Sequence, residues 1–284
     1  QDLVQVAPDW KILGGLRYDS MTGDYDTFTA ATGVKTGSYR MKISEWSKRF
    51  GVLYQPSDLQ SFHFSYGTSF NTSGEAYSLG AANVNTPPES SENIELGARI
   101  ESADKKFTTR VALFKSTKKH ERNTDPLQPG ITVLTGKRHA AGIDMDVSGY
   151  ITPQWEVFGS YMWMPVAKID IGAQGSEGEG QRPSLTPKHS GTVWTTYQIT
   201  PQLRVGGGLN FRSKQTPNRN PGFYAPSYVT ADLMAEYAIE VDRIILKANL
   251  SNVSNKLFAD SLYSNGHYTP GAGRLFQVSA KFKF

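Results

Sequence analysis

The segment YVTADLMAEYAIE, residues 228–240, contains the pattern that decides the fold. Its apolar residues recur at every second position, while polar residues such as Asp232 and Glu236 occupy most positions between them. Successive side chains of a β-strand point to opposite faces of a sheet, so this spacing predicts a strand with one apolar face. The segment LFQVSAKFKF, residues 275–284, repeats the pattern at the end of the chain.

Short turn signals divide the rest of the chain at a regular interval of about 48 residues, except for a shorter last one. They are centred on Pro8, Pro56, Asp104, Pro153, Pro201 and Val241. Longer polar segments alternate with these turns, at 19–42, 71–91, 117–137, 167–188, 213–227 and 252–273. Each repeat predicts a strand, a tight turn, a second strand and a long loop, which makes about thirteen strands and no helix.

The composition excludes several classes of protein. Cysteine is absent, which excludes disulfide frameworks, thiolate metal sites and cysteine nucleophiles. The net charge of +4 is spread along the 284 residues and does not indicate a nucleic-acid partner. The mean hydropathy of −0.44, with no long apolar run, excludes a bundle of transmembrane helices.

The apolar strand faces indicate contact with lipid. Aromatic residues gather near the strand ends, as in the girdles of membrane barrels: Trp10, Tyr18, Trp46, Tyr54, Trp155, Tyr161, Trp163 and Tyr237. The predicted strands of about 10–13 residues exceed the usual length in globular sheets and suit a tilted membrane crossing. We therefore predict an all-β, antiparallel transmembrane β-barrel of a bacterial outer membrane, with short periplasmic turns and long extracellular loops. The alternative is a soluble β-sandwich.

The strand count bears on how the barrel closes. An open sheet edge in lipid leaves backbone hydrogen-bonding groups without partners. An odd number of antiparallel strands cannot close with antiparallel pairing throughout, and the chain begins inside a strand. We therefore expect residues 1–284 to be the C-terminal part of a larger barrel, without its N-terminal strands.

A set of motifs, in their order along the chain, resembles a known family. The motifs are Asn93 to Gly97, Arg182 to His189, Tyr224 to Tyr228, Asn252 to Phe258, and Gly273-Arg274 before the last strand. With them the chain resembles the C-terminal half of a TonB-dependent outer-membrane receptor. Segments 107–110, 120–126 and 161–165 are most similar to the branch that takes up ferric siderophores of the catecholate type.

The resemblance implies a barrel of about 22 strands, closed by an N-terminal plug that carries a TonB-binding box. This chain would be the C-terminal barrel portion of about thirteen strands, without the plug. Uptake would draw energy from the TonB complex acting on that plug. The resemblance also implies contact with outer-membrane lipid and lipopolysaccharide, insertion by the barrel-assembly machinery, which reads a terminal aromatic such as Phe284, and a monomeric receptor.

Other kinds of chemistry find little support in the sequence. The five histidines show no metal-ligand spacing, and the glycine-rich segment 172–180 lacks the ending of a phosphate-binding loop. Asp144 and Asp146 share one strand face, where lining a polar lumen explains them better than acid–base catalysis. We therefore predict no catalytic residue, no metal site and no cofactor, with iron present only as chelated cargo.

Cationic and aromatic residues near the long loops are the candidates for ligand binding. A ferric tris-catecholate is an anion with aromatic faces, so arginine, lysine and aromatic rings suit it. The candidates are Arg138, Lys188, Arg212, Lys214, Arg219, Tyr224 and Tyr263, within a wider set that adds Lys118, Lys119, Arg122, Lys137 and Tyr268. Arg138 and Arg212 share the strand parity of Asp144 and Asn210, so both should face the lumen. Each candidate has an alternative role as a solvated loop charge or a contact to lipopolysaccharide phosphates.

The resulting hypothesis is TonB-dependent uptake of a ferric siderophore of catecholate type, without enzymatic activity. Three alternatives stay open at this stage: a passive porin-like channel, an outer-membrane barrel enzyme, and a structural or adhesive barrel. A plug and a TonB box upstream of the chain would favour the receptor, and a bare barrel would favour the channel.

Overall fold

The structure is a computed structural model that describes residues 1–71, 84, 88–124, 132–172, 178–217, 223–240, 243–262 and 267–282. Within these residues it contains fifteen β-strands, and no helix with the length and apolar content for a membrane crossing. The strands are β1 (Asp2–Ala7), β2 (Trp10–Phe28), β3 (Lys35–Ser57), β4 (Gln60–Asn71), β5 (Glu89–Glu101), β6 (Phe107–Thr124), β7 (Thr132–Thr152), β8 (Trp155–Ile171), β9 (His189–Gln198), β10 (Leu203–Arg212), β11 (Tyr228–Glu240), β12 (Ile244–Ser251), β13 (Ala259–Leu262), β14 (Tyr268–Pro270) and β15 (Leu275–Phe282).

Thirteen strands form one sheet in which neighbours along the chain are also neighbours in space. Its order runs from β1 to β12 and then to β15, while β13 and β14 form a small separate hairpin. All pairings are antiparallel, which confirms the predicted all-β sheet of thirteen strands. Short turns join the strands of each hairpin. In the turn from Ser102 to Lys106, the Ser102 hydroxyl and the Lys106 amide donate hydrogen bonds to the Asp104 carboxylate, and these bonds lower the pKa of Asp104.

The sheet has an apolar face that no second large sheet of the described residues covers. Leu233 lies opposite Leu250, which in turn lies opposite Phe276. Leu233 is 50% exposed and Phe276 is 64% exposed, and in the part of the chain that the structure describes only six apolar residues are buried. A β-sandwich needs a buried core between two sheets, so this distribution excludes it. We call this apolar side the outer face, and the side that carries Asp144 and Asn210 the inner face.

The hairpin of β2 and β3 is much longer than predicted. Its pairing continues from Trp10 opposite Tyr54 to Phe28 opposite Lys35, so most of the predicted loop at 19–42 is strand. Polar residues fill the outer positions here, and the apolar residues, such as Tyr39, Met41 and Ile43, lie on the inner face, so the alternation has the opposite phase to that of the membrane-facing part. The composition therefore resembled that of a loop, although the backbone pairing is complete.

The same correction applies to other predicted loops. The pairing of β6 with β7 extends into the segment 117–137, and β8 reaches Ile171 inside the segment 167–188. The segment 252–273 contains β13 and β14. Most of the segment 71–91 lies outside the described residues.

The buried apolar cluster lies on the inner face of the β2–β3 extension. Met41 and Ile43 are 4% and 6% exposed, and they are packed by Met21, Tyr25, Tyr39 and Phe70. The outer positions at this level are polar, as in the ion pair of Arg40 with Asp24 at 2.6 Å. Apolar side chains thus point outward near the short turn, from Trp10 to Tyr18, and inward on the far part of the hairpin, from Met21 to Tyr25.

Two bulky residues that break the alternation prove to face inward. Phe114 lies opposite Glu95 and Gly142, and Trp194 lies opposite Gly208. The Trp194 ring occupies the space above Gly208, where an added Cβ would lie only 2.5 Å from Cε3 of that ring. Glycine is therefore required opposite Trp194, because any side chain would collide with the ring.

Candidate functional site

Arg212 and Tyr228 form the centre of a cationic and aromatic site on the inner face. They lie opposite each other at the long-loop ends of β10 and β11. The guanidinium carbon of Arg212 is 5.8 Å from the centre of the Tyr228 ring, a distance at which a cation is attracted to the ring face. Phe258 packs on the same ring with centroids 4.4 Å apart, and Arg212 Nη1 donates to the carbonyl of Asp260 at 3.1 Å.

A second cation and a second ring extend this site toward the loop. The bridge between Gln215 and Ala225 continues the register of the β10–β11 ladder, which places Lys214 on the same side as Arg212 by strand alternation. Lys214 Nζ lies 5.8 Å from the centre of the Tyr224 ring, which is 67% exposed. The hairpin therefore presents two cation–ring pairs in succession.

The start of β9 brings a third cation to this region. The backbone amides of Lys188 and His189 both donate to the Ser213 hydroxyl, at 2.8 and 3.0 Å. Lys188 therefore sits beside the segment that joins Arg212 to Lys214. Within the described residues, none of these three cations forms a salt bridge with a carboxylate.

A cavity of about 390 Å³ lies beside Arg212, and polar and apolar groups line it in similar measure, including the acidic residues Asp232 and Asp260. Its floor is a chain of hydrogen bonds across three strands. The Thr192 hydroxyl donates to Asn210 Oδ1 at 2.8 Å, and Asn210 Nδ2 donates to Asp232 Oδ2 at 3.0 Å. The other oxygen of Asp232 accepts the backbone amide of Asn252 at 2.7 Å. These bonds satisfy the inward-facing polar groups and fix the loop after β12.

Asn252 anchors that loop, a role that the sequence did not show. It is 4% exposed and has φ of 47°, a left-handed conformation that asparagine tolerates better than most residues. Its Nδ2 donates to the carbonyls of Lys256 and Ala272, each at 2.9 Å, and its Oδ1 accepts the Lys256 amide at 2.8 Å. The asparagine side chain thereby joins both ends of the segment that carries Phe258 and Asp260.

Arg182 fixes the loop between β8 and β9 in a similar way. Its guanidinium donates to the carbonyls of Thr186 at 2.7 Å, Met164 at 2.8 Å and Pro187 at 3.2 Å. Burial in this loop lowers the pKa of Arg182. The motif from Arg182 to His189 was noted in the sequence, but its three-carbonyl clamp depends on contacts that no spacing reveals.

Arg138 faces inward, as its parity predicts, but lies on β7, three strands from Arg212. Its Nε is 2.6 Å from Oε2 of Glu121, so the structure places this candidate in an ion pair. Lys119 and Lys137, from the wider set, point to the outer face. Arg219 and Tyr263 lie outside the described residues, as does the side chain of Arg122.

Of the seven principal candidates, the structure thus gathers Lys188, Arg212, Lys214 and Tyr224 and separates Arg138 from them. Tyr228, Phe258 and Asn252 join the site without having been singled out as ligand residues. No group of three or more metal-binding side chains occurs within the described ranges. The arrangement suits a large anion with aromatic surfaces, because Arg212 and Lys214 have rings beside them and form no salt bridge with a described carboxylate.

A single-layer antiparallel sheet with an apolar outer face and a polar inner face is the wall of an outer-membrane β-barrel. The family model described as "TonB dependent receptor-like, beta-barrel" matches residues 1–253. The chain belongs to this family, and its thirteen-stranded sheet corresponds to the barrel portion of such receptors in the bacterial outer membrane.

Curated relatives match the whole chain at low identity. A probable TonB-dependent receptor of Bordetella pertussis, BfrD, is 26% identical, and the match covers 100% of this chain and 40% of that protein. The catecholate siderophore receptor Fiu of Escherichia coli K12 is 25% identical, with 100% of this chain and 41% of that protein covered. The chain thus spans about two fifths of the length of these relatives.

Solved structures show the same fold. The siderophore receptor PiuA from Acinetobacter baumannii superimposes with a TM-score of 0.87 at 23% identity, over 98% of this chain and 41% of that chain. The closed form of the ferric-catecholate import receptor Fiu from E. coli K12 gives a TM-score of 0.86 at 22% identity, over 99% of this chain and 43% of that chain.

Proposed function

We propose that this chain is the C-terminal barrel portion of a receptor that imports a ferric siderophore of catecholate type across the outer membrane. The observation that carries the proposal is the pair of cation–ring contacts, Arg212 with Tyr228 and Lys214 with Tyr224, on the inner face at the long-loop end. Family membership and relatives that are named as siderophore receptors support it.

The chemistry of the ligand matches these residues. The catecholate oxygens around ferric iron carry negative charge and accept charge-assisted hydrogen bonds from arginine and lysine. A flat ring of the chelator can stack on Tyr224, which is exposed, and Lys188 adds a third positive charge to this region. We propose Arg219 and Tyr263 as further contacts. We also propose Arg138 as a contact that the ligand makes when it displaces the carboxylate of Glu121.

The transport step itself lies with parts of the receptor outside this chain. We propose that the TonB complex supplies energy by acting on a plug within the barrel, so the ferric complex crosses without covalent chemistry. The barrel residues then act by binding and releasing cargo, with no enzymatic role and no resident cofactor. We also propose that the receptor is a monomer inserted by the barrel-assembly machinery.

Lysines on the outer face support contact with lipopolysaccharide. Lys119 lies directly opposite Lys137, and Lys168 lies opposite His139 on the next strand. Lys119 and Lys137 are like charges placed opposite each other, which repel, so an anion between them is favourable, whereas His139 already has Asp170 at 2.8 Å. Lys119 has Glu92 at 2.9 Å, whereas Lys137 and Lys168 form no salt bridge with any described residue. We propose that phosphates of the outer leaflet bind here.

Ligand affinity of the full-length receptor tests the proposed function. Arg212→Ala and Lys214→Ala should each weaken binding of a ferric tris-catecholate by about 10-fold or more, because a charge-assisted hydrogen bond contributes about 1.5–3 kcal/mol. Lys106→Ala, in a short turn at the opposite end of the strands, is the matched control and should leave the affinity unchanged. Unchanged affinity in both site variants would show that these residues are not the site, and no binding to the unsubstituted receptor would refute the substrate class.

A further inference from the structure

Strand β6 contains one extra residue that turns a carboxylate toward the lumen. Lys119 pairs with Lys137, but the next pair joins Glu121 to Gly136, so His120 has no partner in the ladder. His120 has φ of 56°, the left-handed conformation found in bulges of this kind. Without the bulge Glu121 would share the outward parity of Lys119, and with it Glu121 points inward beside Lys118.

Glu121 there contacts two cations of a charged network that, within the described residues, also includes Glu89. Its Oε2 is 2.6 Å from Arg138 Nε, and its Oε1 is 3.6 Å from Lys118 Nζ. Lys118 Nζ also lies 3.0 Å from Oε2 of Glu89, whose residue is 7% exposed. Among the described residues, the ion pairs of this network thus join two positive and two negative side chains on the inner face.

This balance contrasts with the site around Arg212, where three cations have no acidic partner among the described residues. An anionic ligand gains the full attraction of Arg212 and Lys214. At Arg138 the same ligand must first displace the carboxylate of Glu121, and a ligand with little charge gains nothing from doing so. The two regions thus respond differently to the charge of the ligand.

We propose that Glu121 is a specificity-determining residue that sets how much negative charge a ligand must carry to engage Arg138. The inference rests on the proposed function, because it concerns the anionic cargo of the same lumen. Its physical content is a competition between two anions, the Glu121 carboxylate and the ferric complex, for one guanidinium. Removal of the carboxylate charge should lower the electrostatic cost that the ligand meets in engaging Arg138.

The substitution Glu121→Gln removes this charge and keeps the length and shape of the side chain. The matched control is Glu92→Gln, on the neighbouring strand β5. Glu92 Oε2 forms an equivalent ion pair with Lys119 Nζ at 2.9 Å, but this pair lies on the outer face, away from the lumen. The two variants therefore differ chiefly in the face from which a negative charge is removed.

The experiment measures affinity of the purified full-length receptor for two probes, a ferric tris-catecholate and a neutral ferric tris-hydroxamate. At low ionic strength E121Q should bind the anionic probe about 3- to 10-fold more tightly than the unsubstituted receptor. Binding of the neutral probe should not change, and E92Q should match the unsubstituted receptor for both. The gain should shrink as salt is raised, and the double variant E121Q with Arg138→Gln should lose it.

The outcomes separate this inference from the proposed function. If E121Q binds the anionic probe no more tightly, while Arg212→Ala still weakens binding, the inference is wrong and the proposed function stands. If the unsubstituted receptor binds no ferric catecholate, both are wrong. If E121Q does not assemble, as judged by heat-modifiable migration, Glu121→Ser removes the same charge and is measured in its place.

Discussion

Tyr18 and Trp46 face each other on the outer side of the β2–β3 hairpin, with ring centroids 5.1 Å apart. Trp10 stacks on Tyr54 at 4.5 Å, eight residues earlier on β2. Eight residues at about 3.3 Å each span about 26 Å along the strand, and a tilt of about 35–45° reduces this to a height of about 20 Å. The apolar band of such barrels is about 25 Å tall, so the two heights are similar. The two aromatic pairs therefore mark the two edges of the membrane on this hairpin.

The position of these membrane edges predicts how the cost of an arginine substitution changes along the outer face of β2. Ile12 lies between the aromatic pairs, whereas Thr22 lies beyond Tyr18 on the same outer face. In the full-length receptor, Ile12→Arg should cost up to about 2–4 kcal/mol, because a cation within the lipid band loses its hydration, and Thr22→Arg should cost about 0–1 kcal/mol. Reversible unfolding in lipid measures both, and similar penalties would mean that the membrane edge is misplaced.

The assignment of faces leads to a separate prediction on β6. Leu113 is 51% exposed on the outer face between Leu96 and Ile143, and Ala112 faces inward opposite Asp144. Leu113→Arg should cost about 2–4 kcal/mol in a bilayer. Ala112→Arg should cost much less, since its guanidinium would meet water and a carboxylate. The yield of assembled receptor compares the two variants. A lower yield for Ala112→Arg than for Leu113→Arg would mean that the outer and inner faces are wrongly assigned.

The anchor of the loop after β12 can be divided into a backbone part and a side-chain part. Asn252→Gly retains the left-handed conformation but loses three side-chain hydrogen bonds, and Asn252→Ala loses both features. We expect both variants to loosen the segment that carries Phe258, with alanine the more severe. Limited proteolysis of that segment measures the effect, and cleavage of both variants at the rate of the unsubstituted receptor would refute the anchoring role.

Removal of the outer-face lysines should weaken binding of lipopolysaccharide without affecting the ferric ligand. The double variant Lys137→Gln and Lys168→Gln removes two charges that have no acidic partner among the described residues. We expect less lipopolysaccharide to copurify with the receptor, because phosphate contacts depend on these charges. Lys11→Gln, on the inner side of β2, is the control. Equal lipopolysaccharide content in all three proteins would count against this surface.

Much of the fold follows from the order of residues alone, and the features that the sequence failed to predict lie in particular segments. The alternation from Val229 to Tyr237 correctly predicted an outward-facing apolar row, because the pleat of a strand has a period of two. The far part of the β2–β3 hairpin was missed, because beyond the membrane the outer positions become polar and the apolar residues move to the inner face. The bulge at His120 was missed as well, since one additional residue leaves no mark in composition.

The sequence by itself determined the sheet, the number of its strands and the inward direction of Arg138 and Arg212, because these depend on side-chain alternation within a strand and on the spacing of turn signals along the chain. Only the tertiary structure decided what surrounds those two arginines. Arg212 meets Tyr228 across a ladder and Phe258 from a distant loop, while Arg138 meets a carboxylate that a bulge turned inward. Such contacts depend on register between strands and on loop packing, which side-chain periodicity does not encode.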